Sequence, residues 1–140
     1  GLAEDTNLPK SVEFFIPLKS ASSYAISNTT YVQNGAGQIN SSTKEPVGFI
    51  CTISGEAAYP ELTVNGVTMK YDNVILEGEK LILDSKKCTA TKISTTGTKT
   101  NAMAYYNHEF PKIQSGNNTV SIVSGITNEN LKIEWNDLLL

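Results

Sequence analysis

Any imidazole chemistry in this chain must run through His108, the one histidine among its 140 residues. It stands in Tyr105-Tyr106-Asn107-His108-Glu109-Phe110. A Ser-His-Asp or Cys-His scheme needs a nucleophile within reach of that ring and donors for the developing oxyanion. No nucleophile elbow and no Gly-rich oxyanion turn lies near it, so His108 reads as a partly exposed residue at a strand end. Ten Glu and four Asp offer carboxylate pairs of the sort glycoside hydrolysis uses. Almost any sequence offers such pairs, and Glu77 and Glu79 flank a turn glycine, where solvated charge is the default. Gly35-Ala36-Gly37 sits in Ser/Asn-rich chain with no helix after it and reads as a loop, unlike a phosphate cradle. Asp72-Asn73 alone supplies too few oxygens for calcium. The expectation is a non-enzyme without catalytic residues, metal or cofactor.

Two cysteines remain. Cys51 is in phase with Phe49 and Ile53 in an alternating run, which places the three side chains on one face. One reading is a buried free thiol, a common fate for cysteine. The other is a Cys51–Cys88 bridge, which would imply an oxidising compartment. Neither cysteine has a CxxC partner or a nearby His, so zinc is not expected. Among aromatic residues, Tyr59, Tyr71, Tyr105, Tyr106 and Trp135 could serve as platforms for a sugar or anchors for a protein. Trp135 is in phase with Leu131 and Ile133 and reads as core. Tyr105 and Tyr106 are adjacent, so in a strand they face opposite ways and one is core. Tyr105, Tyr106 and His108 together are the candidate interaction or glycan surface.

Charge narrows the partners. The formal net charge is −3, and all eleven basic residues are Lys. Nucleic-acid sites rely on basic stripes and on Arg for bidentate base contacts, so nucleic acid is not an expected partner. Anionic membranes attract polybasic clusters, and Lys86-Lys87 is the longest basic run. No apolar stretch approaches the ~20 residues that span a bilayer, and no basic-then-apolar leader pattern opens the chain. No membrane partner is expected. Gly1 in place of Met suggests a processed start or a piece of something longer.

The elements that must position these residues read as strands. Leu, Ile, Val and Phe make up a quarter of the chain, above the roughly 20% below which disorder becomes the expectation. Apolar residues alternate in short runs separated by Gly, Asn, Pro and Ser. These are Val47–Ile53, Leu62–Val64, Val67–Tyr71, Leu81–Leu83, Thr89–Ile93, Ala102–Phe110, Thr119–Val123 and Leu131–Trp135. Asn65-Gly66 between two of them predicts a hairpin with a type I′ turn. Val12–Ile16 reads as a further strand, residues 21–42 are Ser/Asn/Gly-rich, and the N-terminal part as a whole reads as one or two edge strands with long loops. Strands at about ten-residue spacing predict an all-β chain, an antiparallel sandwich or barrel. Residues 1–30 are taken as an arm with an edge strand or linker, and 31–140 as the sandwich domain.

Three stretches bring a family to view. Pro46-Val47-Gly48-Phe49-Ile50-Cys51-Thr52-Ile53-Ser54-Gly55, Leu62-Thr63-Val64-Asn65-Gly66 and Leu76-Glu77-Gly78-Glu79-Lys80-Leu81-Ile82-Leu83-Asp84 resemble the C-terminal domain of distal tail proteins of long, non-contractile-tailed bacteriophages. Phe110-Pro111-Lys112-Ile113-Gln114-Ser115-Gly116-Asn117-Asn118-Thr119-Val120 resembles the family's F-x-x-L-x-x-G-x-N-x-I turn. Leu131-Lys132-Ile133-Glu134-Trp135-Asn136-Asp137-Leu138-Leu139 resembles its closing strand, although Asp137 stands near where a basic residue is common. The likeness runs from about Tyr31 to Leu140.

The resemblance implies a galectin-like, jelly-roll-type β-sandwich projecting from a hexameric hub at the tail tip. It implies a non-enzymatic virion module, assembled in the bacterial host cytoplasm, that attaches neighbouring tail or receptor-binding proteins. The full-length protein would be a hexameric ring, the isolated domain a monomer. A host surface glycan is the alternative partner, making the chain a carbohydrate-binding module. Leu81, Leu83, Val120, Ile122, Ile133 and Trp135 are the expected shared core. Gly78 and Gly116 are expected in tight turns where a Cβ would clash.

Overall fold

The structure is a computed structural model that describes residues 3–4, 10–14, 36–127 and 130–139. Its strands are β1 (Ala3–Glu4), β2 (Lys10–Phe14), β3 (Ala36–Ser41), β4 (Ile50–Ser54), β5 (Ala57–Ala58), β6 (Glu61–Val64) and β7 (Val67–Lys70). They continue with β8 (Val74–Ile75), β9 (Lys80–Asp84), β10 (Thr89–Ile93), β11 (Lys99–Asn101), β12 (Gly116–Ser124), β13 (Leu131–Trp135) and β14 (Leu138–Leu139). A 3₁₀ turn, Met103–Tyr105, lies between β11 and β12.

Six strands form one sheet in the order β11-β10-β9-β4-β13-β2, and four form the other in the order β3-β12-β6-β7. Every pairing is antiparallel. Two-strand pairs, β1 with β14 and β5 with β8, close the margins. The chain is therefore an all-β antiparallel sandwich.

Period-two alternation decides which side of each strand is buried. Cys51 and Ile53 of β4, Leu81 and Leu83 of β9, and Leu131, Ile133 and Trp135 of β13 turn inward from the larger sheet. Ile39, Leu62, Val64, Met69, Val120 and Ile122 meet them from the smaller one. All six residues expected to form the shared core are buried. Phe49, Tyr71 and Ile113 from connecting segments, and Ile75 of β8, are buried in the same core.

The Asn65-Gly66 hairpin joins β6 to β7, with φ of 51° and 78° at the two residues. Positive φ at both central positions defines the type I′ turn, whose twist suits flanking strands. Gly78 has φ +81°, and a Cβ there would stand 2.9 Å from the Thr95 methyl. Gly116 differs from expectation: its φ is +83°, but a Cβ would meet nothing within 4 Å. Backbone conformation alone, rather than a clash, selects glycine there.

Three expectations need correction. The run from Ala102 to Phe110 is not a strand. Asn101 Oδ1 accepts the Met103 N–H at 2.9 Å, and Tyr105 and Tyr106 amides bond back to Ala102 and Met103 carbonyls. A side chain that captures the backbone locally diverts it from a ladder. Residues 36 and 37, read as loop, open β3, an edge strand paired along β12 from Gly116↔Ser41 to Ser121↔Ala36. Val12–Ile16 shifts to Lys10–Phe14, the edge strand beside β13; residues 15, 16 and 21–35 lie outside the described residues.

Candidate functional site

The Phe110–Val120 segment that carries the family likeness is built as a clasp. Asn118, fully buried, faces inward from β12. Its Nδ2 donates to the carbonyls of Gln114 (2.8 Å), Gly116 (3.1 Å) and Ile39 (3.2 Å). Its Oδ1 accepts from the Gln114 amide (2.7 Å) and from Asn65 Nδ2 (2.8 Å). Asn65 also donates to the Lys112 carbonyl and accepts from the Thr119 amide. Two asparagines thereby join β3, β12, the hairpin tip and the connecting loop. The motif asparagine is a fastener of the fold.

The three residues singled out as a surface do not act together. Tyr106 is buried; its hydroxyl donates to the Glu109 carbonyl at 2.6 Å, and its ring packs on Phe110 at 4.6 Å between centroids. Burial, with smaller contributions from Cys51 and Cys88, raises the Tyr106 phenol above the ordinary tyrosine value. Tyr106 therefore belongs to the core, and its place on a surface is corrected. His108 is exposed in a loop, edge-on to the Tyr106 ring at 5.9 Å. Tyr105 is 47% exposed.

Around Tyr105 the chain gathers groups that are distant in sequence. The Tyr105 ring meets Tyr71 edge-to-face at 5.9 Å, and the Asp72 amide donates to the Tyr105 carbonyl at 2.9 Å. Burial, then Tyr105, then Glu79 raise the Tyr71 phenol above its ordinary value. Glu79 Oε1 accepts the Leu76 amide at 2.8 Å and pairs with Lys92 Nζ at 3.2 Å. The Leu76 amide foremost, helped by Lys92 and opposed by desolvation, holds the Glu79 carboxyl below the usual glutamate value. Asp72 pairs with Lys70 at 3.6 Å. Leu76 (57% exposed) and Met103 are also exposed apolar side chains. Glu79 and Lys92 meet only because β9 and β10 are neighbours, so no motif in the sequence marks them; the Glu77-Gly78-Glu79 turn was the one visible trace.

A concavity of about 410 Å³ lies beside Ile50 at the start of β4 and Trp135 at the end of β13. Phe49, Ile50, Trp135 and Leu138 line it with Lys86 and Glu134. Trp135 is 93% covered, and its Nε1 donates to Asp137 Oδ1 at 2.9 Å. Asp137, itself buried, also accepts from Ser41 Oγ at 2.6 Å. Gly48 admits no side chain, because a Cβ would lie 2.4 Å from the Lys86 Cα. This wall is part of the core, as the phase of Trp135 predicts.

Both cysteines are free thiols, Cys51 buried and Cys88 exposed. Burial pushes the Cys51 thiol up to about 12, leaving it inert at neutral pH. Among the described residues, no group of three or more His, Cys, Asp or Glu could hold a metal ion, and no helix is long and apolar enough to cross a membrane. No protein-family profile, no curated protein and no solved structure matches the chain.

Proposed function

We propose that the chain is a non-enzymatic attachment module of a bacteriophage tail tip, of the kind found at the C-terminus of distal tail proteins. In this reading it sits in a virion, projects from a hexameric hub and docks a neighbouring tail or receptor-binding protein. The galectin-like, jelly-roll-type variant of the sandwich belongs to the same reading.

The observation that carries the proposal is the clasp. Phe110, Ile113, Gly116, Asn118 and Val120, which stand at the motif positions of the turn it resembles (with Ile113 for Leu and Val120 for Ile), all serve the framework. Ile113 and Val120 are buried, Asn118 ties four segments, and Gly116 supplies the left-handed residue. A motif spent wholly on the fold supports descent from a structural module better than descent from a catalyst, whose signature residues would converge on a reacting centre.

The test is immunogold electron microscopy of phage particles from the source cells, using antibodies raised against this chain. Label at the tail tip is the expected result. Particles that carry tails but no label would overturn the proposal, as would turnover of cell-wall polysaccharide by the purified chain.

A further inference from the structure

We infer that Asn65 is a modification site, at which spontaneous deamidation to Asp or isoAsp is held off by the clasp and, once it happens, keeps the clasp from closing. The inference stands independently of the tail-tip reading, because it rests on the geometry around Asn65 and Asn118 alone.

An Asn-Gly pair suits this reaction because glycine places no side chain beside its own nitrogen. Here Gly66 is exposed, and a Cβ on it would meet nothing within 4 Å. The Gly66 amide nitrogen attacks Cγ of Asn65 and a cyclic imide closes. The Cγ–Nδ2 bond breaks, and Nδ2 leaves as ammonia with the proton given up by Gly66. Water then opens the imide at either carbonyl, giving Asp or isoAsp. The net change is uptake of water and release of ammonia, with no redox step.

The fold opposes the first step. Nδ2, the leaving nitrogen, donates to Asn118 Oδ1 at 2.8 Å and to the Lys112 carbonyl at 3.1 Å, while Oδ1 accepts the Thr119 amide at 3.1 Å. The Asn65 amide donates in turn to the Thr119 carbonyl at 2.9 Å, so backbone and side chain are both tied to β12. Expelling Nδ2 gives up both of its bonds, whatever path the side chain takes.

The fold also rejects the product. An Asp side chain keeps one oxygen for the Thr119 amide, but its second oxygen replaces Nδ2 against the Lys112 carbonyl and Asn118 Oδ1. Oxygen then faces oxygen at both contacts, an unsatisfied arrangement that costs more than the lost bonds alone. Asn118 cannot turn its amide round to supply a donor. It is fully buried, its Nδ2 donates to the carbonyls of Ile39, Gln114 and Gly116, and its Oδ1 accepts the Gln114 amide. An isoAsp linkage instead adds a carbon to the main chain within the hairpin loop, which no longer matches the Val64↔Val67 register.

The test is peptide mapping by mass spectrometry of the purified chain, aged in mildly alkaline buffer both native and in denaturant. In denaturant, Asn65 and Asn34, which heads the sequence's other Asn-Gly, should lead the conversion. In the native chain Asn65 should convert at least about tenfold more slowly than in denaturant, a factor within reach of three modest hydrogen bonds. Asn118→Ala should raise the native rate several-fold, and Leu81→Ala, a core change in the other sheet, should raise it less. Asn65→Asp, which copies the product with an unaltered main chain, should lower Tm by at least about 5 °C. Asn65→Gly, which loses the donors without installing an oxygen, should lower it less. Equal native and denatured rates at Asn65 would overturn the inference. So would a native rate that Asn118→Ala leaves unchanged or that Leu81→Ala raises as much, or a wild-type Tm for Asn65→Asp. Should Asn118→Ala fail to fold, the native-to-denatured ratio and Asn65→Asp decide the matter.

Discussion

Replacing Asn118 by Ala should cost about 3–5 kcal/mol. The figure follows from the five hydrogen-bonded partners of its side chain, three carbonyls sharing its two amide hydrogens and two donors to its oxygen. A typical intramolecular hydrogen bond contributes about 0.5–1.5 kcal/mol net, and a buried group stripped of its partner loses about 1–3 kcal/mol. The bond to the Ile39 carbonyl is buried, so its loss draws on the higher range. Gln114 is exposed and Asn65 keeps the Lys112 carbonyl, so water or a second partner recovers part of the remainder. In a chain of this size, a few degrees per kcal/mol turns the loss into a drop in Tm of about 10–15 °C. Urea unfolding followed by circular dichroism and Trp135 fluorescence measures it, with an unchanged m-value as the sign that only stability moved. Asn117→Ala, one residue away and exposed, should stay within about 0.5 kcal/mol. A loss below about 1 kcal/mol for Asn118→Ala would refute the clasp.

Three further outcomes follow from packing, backbone geometry and burial. Trp135→Ala should lose about 3–5 kcal/mol in the same assay followed by circular dichroism, because the ring is almost fully covered. Gly125→Ala should destabilise more than Gly116→Ala. Both have positive φ, costing about 1–2 kcal/mol for an L-residue, but only at Gly125 would a Cβ strike a carbonyl, that of Ala58, at 2.2 Å. Thermal melts of the two variants give the ranking. Titration with Ellman's reagent should count one thiol in the native chain, Cys88, and two in denaturant, since Cys51 is buried and its pKa raised; two rapid equivalents under native conditions would contradict that assignment.

Most of the sandwich is legible in the sequence because its strands alternate cleanly. Leu81-Ile82-Leu83 and Leu131-Lys132-Ile133-Glu134-Trp135 each show their buried side by period alone, and Asn65-Gly66 announces its turn. What escaped is instructive. β3, Ala36-Gly37-Gln38-Ile39-Asn40-Ser41, has low strand propensity, and pairing with β12 overrides it. The stretch from Ala102 to Phe110 has the aromatic content of a strand, yet Asn101 captures the next turn. The site was less readable than the fold. Tyr105 could be singled out as an exposed aromatic, but Glu79 and Lys92 become neighbours of one another through strand order, which spacing along the chain does not encode. Asn118 was visible only as a family motif letter; its role required the burial of its side chain among five partners.

The pairing of Ala3 with Leu139 and of Glu4 with Leu138 has a mechanical side. Antiparallel strands held in this register present both flanks of the chain at the same edge. Tension applied across those flanks opens the ladder one bond after another, in the manner of a zipper, instead of loading every bond of a strand at once. The outermost pair therefore opens first, and the longer β2–β13 ladder, entered at Lys10↔Trp135 in the same geometry, is the next to bear the load.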